Sequence, residues 1–219
     1  MPRKRQVAKK SKLRRRGPRR KYRKKAVALK PHNFMERAEA TIDLNSSTLG
    51  VDGTLISGYG RSFKLDDINQ VASYKELFDS FILNKVVAEI RYDITTSTMI
   101  AENVGNPVYP LLLLKNDHND VGANAWQTML ESEKSRMIQM KPGQKVSQII
   151  KPAVQVEAYK TALASAYQPK WNCELRSADS ATPHYGFKLQ LKTAPGNANV
   201  DLGKIHITYK YYFTMKNGE

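Results

Sequence analysis

Ile205-His206-Ile207-Thr208-Tyr209-Lys210-Tyr211-Tyr212-Phe213-Thr214 alternates without a break. Ile205, Ile207, Tyr209, Tyr211 and Phe213 fall on one side, and His206, Thr208, Lys210, Tyr212 and Thr214 on the other. Successive strand side chains point to opposite faces, so this period of two predicts an antiparallel strand with one buried face. The same pattern recurs upstream. In 86–94, Val86, Ala88, Ile90, Tyr92 and Ile94 oppose Glu89, Arg91 and Asp93. In 187–192, Phe187, Leu189 and Leu191 oppose Lys188, Gln190 and Lys192, and in 38–45 Ala40, Ile42 and Leu44 share a face. Val108–Leu114 is continuously apolar, the mark of a strand covered on both sides. Weaker strand signals lie in 53–65, 136–140, 145–150 and 170–175.

Helical spacing is confined to two places. Val71, Tyr74, Leu77 and Phe78 recur at helical intervals behind Asp66 and Asp67, either of which can cap the turn. The Ala-rich stretch Val156–Ala166 is the second candidate. Between the strands lie polar connections rich in Asn, Gly, Asp and Pro, at 101–107, 115–125, 177–184 and 194–203. About eight strands, long loops and no repeating βα unit predict an all-β fold. The expected form is an eight-stranded antiparallel jelly-roll sandwich over 33–219, with a short inserted helix.

Ahead of that body lies a segment of a different kind. Residues 1–30 hold 16 Lys or Arg and no acid, whereas the remaining 20 basic and 20 acidic residues cancel. The whole net charge of +16 therefore sits on the N-terminal arm, 1–32. Its clusters are Arg3-Lys4-Arg5, Lys9-Lys10, Lys12, Arg14-Arg15-Arg16, Arg19-Arg20-Lys21 and Arg23-Lys24-Lys25, with Gly17 and Pro18 between them. Mutual repulsion and low hydrophobicity predict that this arm is disordered until counter-charge arrives. Fully extended, thirty residues reach about 100 Å. The planar Arg fork suits phosphate oxygens, so the arm is predicted to bind nucleic acid, tightly at low salt and weakly at high salt. Tyr22 is its only aromatic, so sequence readout by stacking is minor. Arg14 to Lys25 also has the composition of a nuclear localisation signal.

Catalytic chemistry is thinly represented. Gly58-Tyr59-Gly60 lacks the spacing of a phosphate-cradling loop, and His32, His118, His184 and His206 are scattered. Asn116-Asp117-His118-Asn119-Asp120 is the densest group of oxygen and nitrogen ligands, but turn-forming residues make the same pattern. Cys173, the lone cysteine, excludes an intramolecular disulfide and reads as a packed thiol beside Trp171. Tyr209, Tyr211 and Phe213 are expected in the core, whereas Tyr212 points away and is a candidate for a subunit contact. The longest apolar stretch, Val108–Leu114, is too short to span a bilayer, and no apolar run follows the N-terminal charges as in a secretory signal. No catalytic residue, metal ligand, cofactor or membrane insertion is predicted.

Several stretches carry a family resemblance. The arm followed by Phe63-Lys64-Leu65-Asp66-Asp67-Ile68 resembles the capsid proteins of circular Rep-encoding single-stranded DNA viruses, of the circovirus and cyclovirus type. Ser73-Tyr74-Lys75-Glu76-Leu77-Phe78-Asp79-Ser80-Phe81-Ile82-Leu83-Asn84-Lys85-Val86-Val87-Ala88-Glu89-Ile90 is similar to that family's aromatic turn and long strand. Leu111-Leu112-Leu113-Leu114-Lys115-Asn116-Asp117 and Lys204–Phe213 resemble its next strand with acidic turn and its closing strand. The resemblance covers the arm and most of the body, and is weakest over 120–180. It implies a homo-60-mer, a T=1 icosahedral shell enclosing a single-stranded DNA genome, with the arm turned inward. Sixty such arms would neutralise on the order of a thousand nucleotides at one phosphate each. It further implies a virion protein that passes through the host nucleus, with nuclear import receptors and a cell-surface receptor as partners.

The residues alone leave other readings open: the shell protein of a small satellite RNA virus, or a cellular RNA-binding protein of ribosomal type with a basic tail. A nuclease with a basic tail would need a carboxylate cluster that the sequence does not display.

Overall fold

The structure is a computed structural model of the chain; it describes residues 30–45, 47–56, 58–94, 109–118, 125–160, 165–193 and 201–217. Among them eleven strands form: β1 (His32–Asp43), β2 (Tyr59–Phe63), β3 (Ser80–Asp93), β4 (Leu111–Lys115), β5 (Ser135–Gln139), β6 (Lys145–Ile150), β7 (Ala153–Lys160), β8 (Ser165–Trp171), β9 (Glu174–Arg176), β10 (His184–Lys192) and β11 (Lys204–Lys216). Two short helices accompany them, α1 (Val71–Leu77) and α2 (Trp126–Leu130).

The strands make two sheets, antiparallel throughout. The first has the order β1-β11-β3-β6, with β9 added beside the start of β3. The second has the order β5-β4-β10-β7-β8, with β2 on the other side of β10. Strand β11 is the centre of the first sheet, hydrogen-bonded along its length to β1 and β3. Its inward row from Ile205 to Met215 is buried at every second position. Beside it lies the row Phe81, Leu83, Val86, Ala88, Ile90 and Tyr92 of β3, and across the core lie Leu112, Leu114, Phe187, Leu189 and Leu191 of the second sheet. Each large apolar side chain so buried stabilises the fold by roughly 1.5–3 kcal/mol.

Aromatic rings tie the elements together edge to face: Phe63 to Tyr209 at 5.5 Å and to Tyr211 at 5.8 Å, and Tyr74 to Phe213 at 5.4 Å. Their hydroxyls find partners, as burial requires. Tyr92 donates to the Leu202 carbonyl at 2.6 Å, Tyr211 to Asp67 Oδ2 at 2.9 Å and Tyr74 to Glu36 Oε1 at 2.8 Å. Burial, with the bond to Glu36, pushes the Tyr74 phenol up to about 12. Just before β11, Gly203 has φ +103°, and a Cβ there would drive into the Asp93 carbonyl.

The all-β jelly-roll reading holds; the strand count differs from the expected eight. Eight of the eleven strands make the two facing sets β1-β11-β3-β6 and β2-β10-β4-β5. The other three, β7, β8 and β9, all lie in the connection from β6 to β10. The predicted helix over Val156–Ala166 is part of this difference. Residues 153–160 and 165–171 pair as a hairpin, with Val156 opposite Gln168 and Glu157 opposite Tyr167. Alanine's helix propensity is a weak preference, and cross-strand pairing with the tyrosine-containing partner overrides it. Pro169 is tolerated because β8 is an edge strand.

The 170–175 signal spans the end of β8 and the start of β9, separated by Asn172 in the left-handed region at φ 51°. Helix α1 forms where predicted, but neither aspartate caps it. Asp67 instead accepts from the Lys64 amide at 3.1 Å, closing a 3-10 turn over Leu65–Asp67 one step earlier. Loop 101–107 lies outside the described residues, as do 194–200.

Candidate nucleic-acid interface

The outer face of the first sheet is a lattice of charge on adjacent strands. Lys210 of β11 and Lys145 of β6 both reach Glu89 of β3, each at 2.7 Å. Hydrogen bonds from Lys145 and Lys210 hold the Glu89 carboxyl below its usual range. Arg91 pairs with Asp93 at 2.6 Å, His206 Nε2 lies 3.5 Å from the same carboxylate, and Lys204 pairs with Asp43 at 3.0 Å. A depression of about 270 Å³ opens among Glu39, Thr41, Glu89, Arg91, Lys145 and His206. Nearer the start of β1, Lys85 Nζ lies 4.4 Å from the centre of the Tyr212 ring, and Met35 flanks the ring in register. Beyond them Asn84 donates to Thr214 Oγ1 at 2.8 Å, and Thr214 donates to Asn33 Oδ1 at 2.7 Å.

The outer face of the second sheet is covered over β4 and β10. Lys188 and Gln190 were expected to face solvent, yet they are only 2% and 3% exposed. Helix α2 packs over β4 and β10, burying Met129 together with Leu113, which points away from the main core. Asp117 takes Lys188 and Lys115, each at 3.2 Å. Asn116 donates to the Ile149 carbonyl and accepts from Gln148, and His118 Nδ1 lies 3.2 Å from the Tyr185 carbonyl, its ring edge-on to Trp171 at 5.6 Å. The described part of the 116–120 group is therefore committed to packing. Positions 119 and 120 lie outside the described residues. Among the described residues no three His, Cys, Asp or Glu gather to hold a metal ion, and no helix is long and apolar enough to cross a membrane.

The predicted binding residues Arg3, Lys4, Arg5, Lys9, Lys10, Lys12, Arg14, Arg15, Arg16, Arg19, Arg20, Lys21, Arg23, Lys24 and Lys25 all lie outside the described residues, which begin at Lys30. What the structure does fix is their attachment in sequence: the chain passes from the basic segment straight into β1, an edge of the charged sheet. Tyr209, Tyr211 and Phe213 are in the core and Tyr212 points outward, as read from the alternation. Cys173 is a correction. It is half-buried in the turn between β8 and β9 rather than packed in the core, because the left-handed Asn172 breaks the strand there. Two features escaped sequence reading, the Lys115–Asp117–Lys188 cluster and the Lys85–Tyr212 pair. Lys85 sits beside a β-bulge at Asn84, where the register to β11 shifts.

The circovirus capsid protein profile matches residues 1–218. The chain belongs to the circovirus capsid protein family. This capsid protein is a structural component of the virion. Its fold is similar to a crystal structure of a 60-mer BFDV capsid protein, with a TM-score of 0.62 and 14% identity over 86% of this chain and 94% of that one. A decameric BFDV capsid protein gives a TM-score of 0.57 at 12% identity, over 86% of this chain and all of that one. Among curated proteins no match is found.

Proposed function

We propose that this capsid protein assembles sixty-fold into a small T=1 icosahedral shell and packages a single-stranded DNA genome through its basic arm. The observation that carries the reading is charge segregation: 16 basic residues without an acid in positions 1–30, against a body of 20 basic and 20 acidic residues. A neutral body lets subunits pack side by side without mutual repulsion, and the arm supplies non-specific neutralisation of phosphate. The 60-mer formed by a BFDV capsid protein of similar fold supports the stoichiometry. Phosphate contacts do not distinguish DNA from RNA; membership of the circovirus capsid family supports the DNA reading. Residues Arg14 to Lys25 serve in addition as the nuclear localisation signal that brings the subunit to the genome. Host import receptors, and a cell-surface receptor on the outside of the shell, complete the set of partners.

The test is light scattering and negative-stain imaging of full-length protein, beside a variant lacking residues 1–30. Full-length protein is expected as closed particles near sixty subunits with nuclease-protected nucleic acid. The truncated body is expected to fold and to copurify with none at moderate salt. Truncated protein that retains nucleic acid would remove the arm from the mechanism, and a salt-independent monomer would remove the shell.

A further inference from the structure

We propose that the outer face of the first sheet is itself a nucleic-acid surface, with Tyr212 as a platform on which an unpaired base stacks. The proposal rests on the packaging reading and adds a site outside the arm.

Three observations converge on it. The first is a hidden polarity in the neutral body. The outward positions of β1, β3, β6, β9 and β11 carry eight Lys or Arg against five Asp or Glu. The body as a whole is balanced. The first sheet's outer face therefore holds a surplus of three positive charges, and the rest of the body an equal surplus of negative ones. A polyanion is drawn to the first and turned from the second.

The second observation is the composition of the patch around Tyr212. Its ring stands outward, already holding a cation at 4.4 Å in Lys85. Met35, 44% exposed, adds an apolar flank. Two residues along the strands, Arg37 and Lys210 face each other in register; two residues the other way lies the Asn33–Thr214–Asn84 ladder. An aromatic face with cations on one side, Arg37 and the Glu89-paired Lys210, and two amides on the other, Asn33 and Asn84, offers the parts that single-strand binders combine. A base taking the ring face now covered by Lys85 frees that ammonium for a phosphate, and the neighbouring amides offer hydrogen bonds to a base edge.

The third observation is position. Tyr212 lies opposite Met35, three residues into β1, so it sits beside the point where the basic segment joins the body. A strand condensed by the arm is delivered to this patch at high local concentration. Because stacking is tolerant of sequence, the site fits a genome-wide contact rather than a signal sequence.

Photocrosslinking tests the proposal. Full-length particles are assembled on single-stranded DNA carrying 4-thiothymidine, irradiated, digested and mapped by mass spectrometry. Crosslinks are expected in residues 1–30 and, separately, in the β3 and β11 peptides containing Lys85 and Tyr212. Tyr212→Ala should lower the β11 crosslink by roughly fivefold or more while Tyr212→Phe retains it. Lys85→Gln should reduce the same crosslink without altering particle yield. Lys85 is exposed, so that variant alone carries the test if Tyr212→Ala does not fold. Crosslinks confined to residues 1–30 would overturn the platform and leave arm packaging standing, whereas none anywhere would overturn both. Protection of Tyr212 from tyrosine nitration in nucleic-acid-free particles would assign the patch to a neighbouring subunit instead and end the proposal.

Discussion

The two sheets present their outer faces to different surroundings. On the first, charged side chains pair across strands at the surface: Glu89 shared by Lys145 and Lys210, Asp43 with Lys204. On the second, an equally alternating strand holds Lys188 out of solvent, 3% exposed at its side chain, against the 9% exposed carboxylate of Asp117. The same residue types are thus exchangeable contacts on one sheet and structural on the other. Removing a partner from an open pair costs little, because water and salt take its place. Removing one from a covered pair strands a charge in low dielectric.

The largest expected effect is therefore at Asp117. Asp117→Ala leaves two lysines without their shared carboxylate and should cost about 3–5 kcal/mol in urea unfolding of the body. Survival with a loss below about 1 kcal/mol would mean that the cluster opens readily to water and is not structural. Leu113→Ala on the covered face should cost about 2–5 kcal/mol, whereas truncating half-buried Val87 on the open face should cost well under that. A matching loss at both positions would abolish the distinction between the sheets.

Acid sharpens the comparison. His184 is buried where β10 meets β2, and burial holds its imidazole below the ordinary 6.5. The unfolded chain then binds the proton first, so this contribution is complete above about 6.5 and is lost as pH falls below it. Glu89, held below the ordinary 4.5 by Lys145 and Lys210, contributes stability that is present above that value and lost as pH falls through its folded pKa. Unfolding followed from pH 8 to pH 3 should show two separate losses, and His184→Phe should flatten the first. The smallest effect is Glu89→Gln at neutral pH, under about 1 kcal/mol and vanishing at high salt. A larger, salt-insensitive loss would show that the open lattice is no looser than the covered cluster.

Much of the framework was legible because one pattern dominated it. The period of two through Ile205–Phe213 and Val86–Tyr92 named the buried rows of both long strands. The unbroken apolar run did the same for β4, where Leu112, Leu113 and Leu114 are all buried. Alternation tells which side a residue faces, not what lies over that side, so Lys188 and Gln190 read as solvent-facing. Helix α2, which packs against the same strand, has only five residues, too few to leave a periodic signature. Strict alternation carried back from Val86 would also have turned Leu83 and Phe81 outward. The bulge at Asn84 returns both to the core, while Lys85 stays opposite Tyr212 in the unshifted register. Of the candidate interface, the charge of the arm was plain in composition. The surplus on the first sheet was hidden, because a balanced total conceals how charges are divided among faces.

The pairing of β11 between β1 and β3 has one more consequence, and it concerns time. Residues 32–43 can join the first sheet only through residues 204–216, so nearly the whole chain must exist before its central ladder closes. Contacts of such long sequence separation fold slowly, and the loop-closure entropy is spent before they contribute. During synthesis, at about 5–20 residues per second, a ribosome that has reached Gly203 holds a cationic arm already complete and a first sheet that still lacks its centre. Emergence of residues 204–216 is the event that converts a polycationic nascent chain into a capsid subunit.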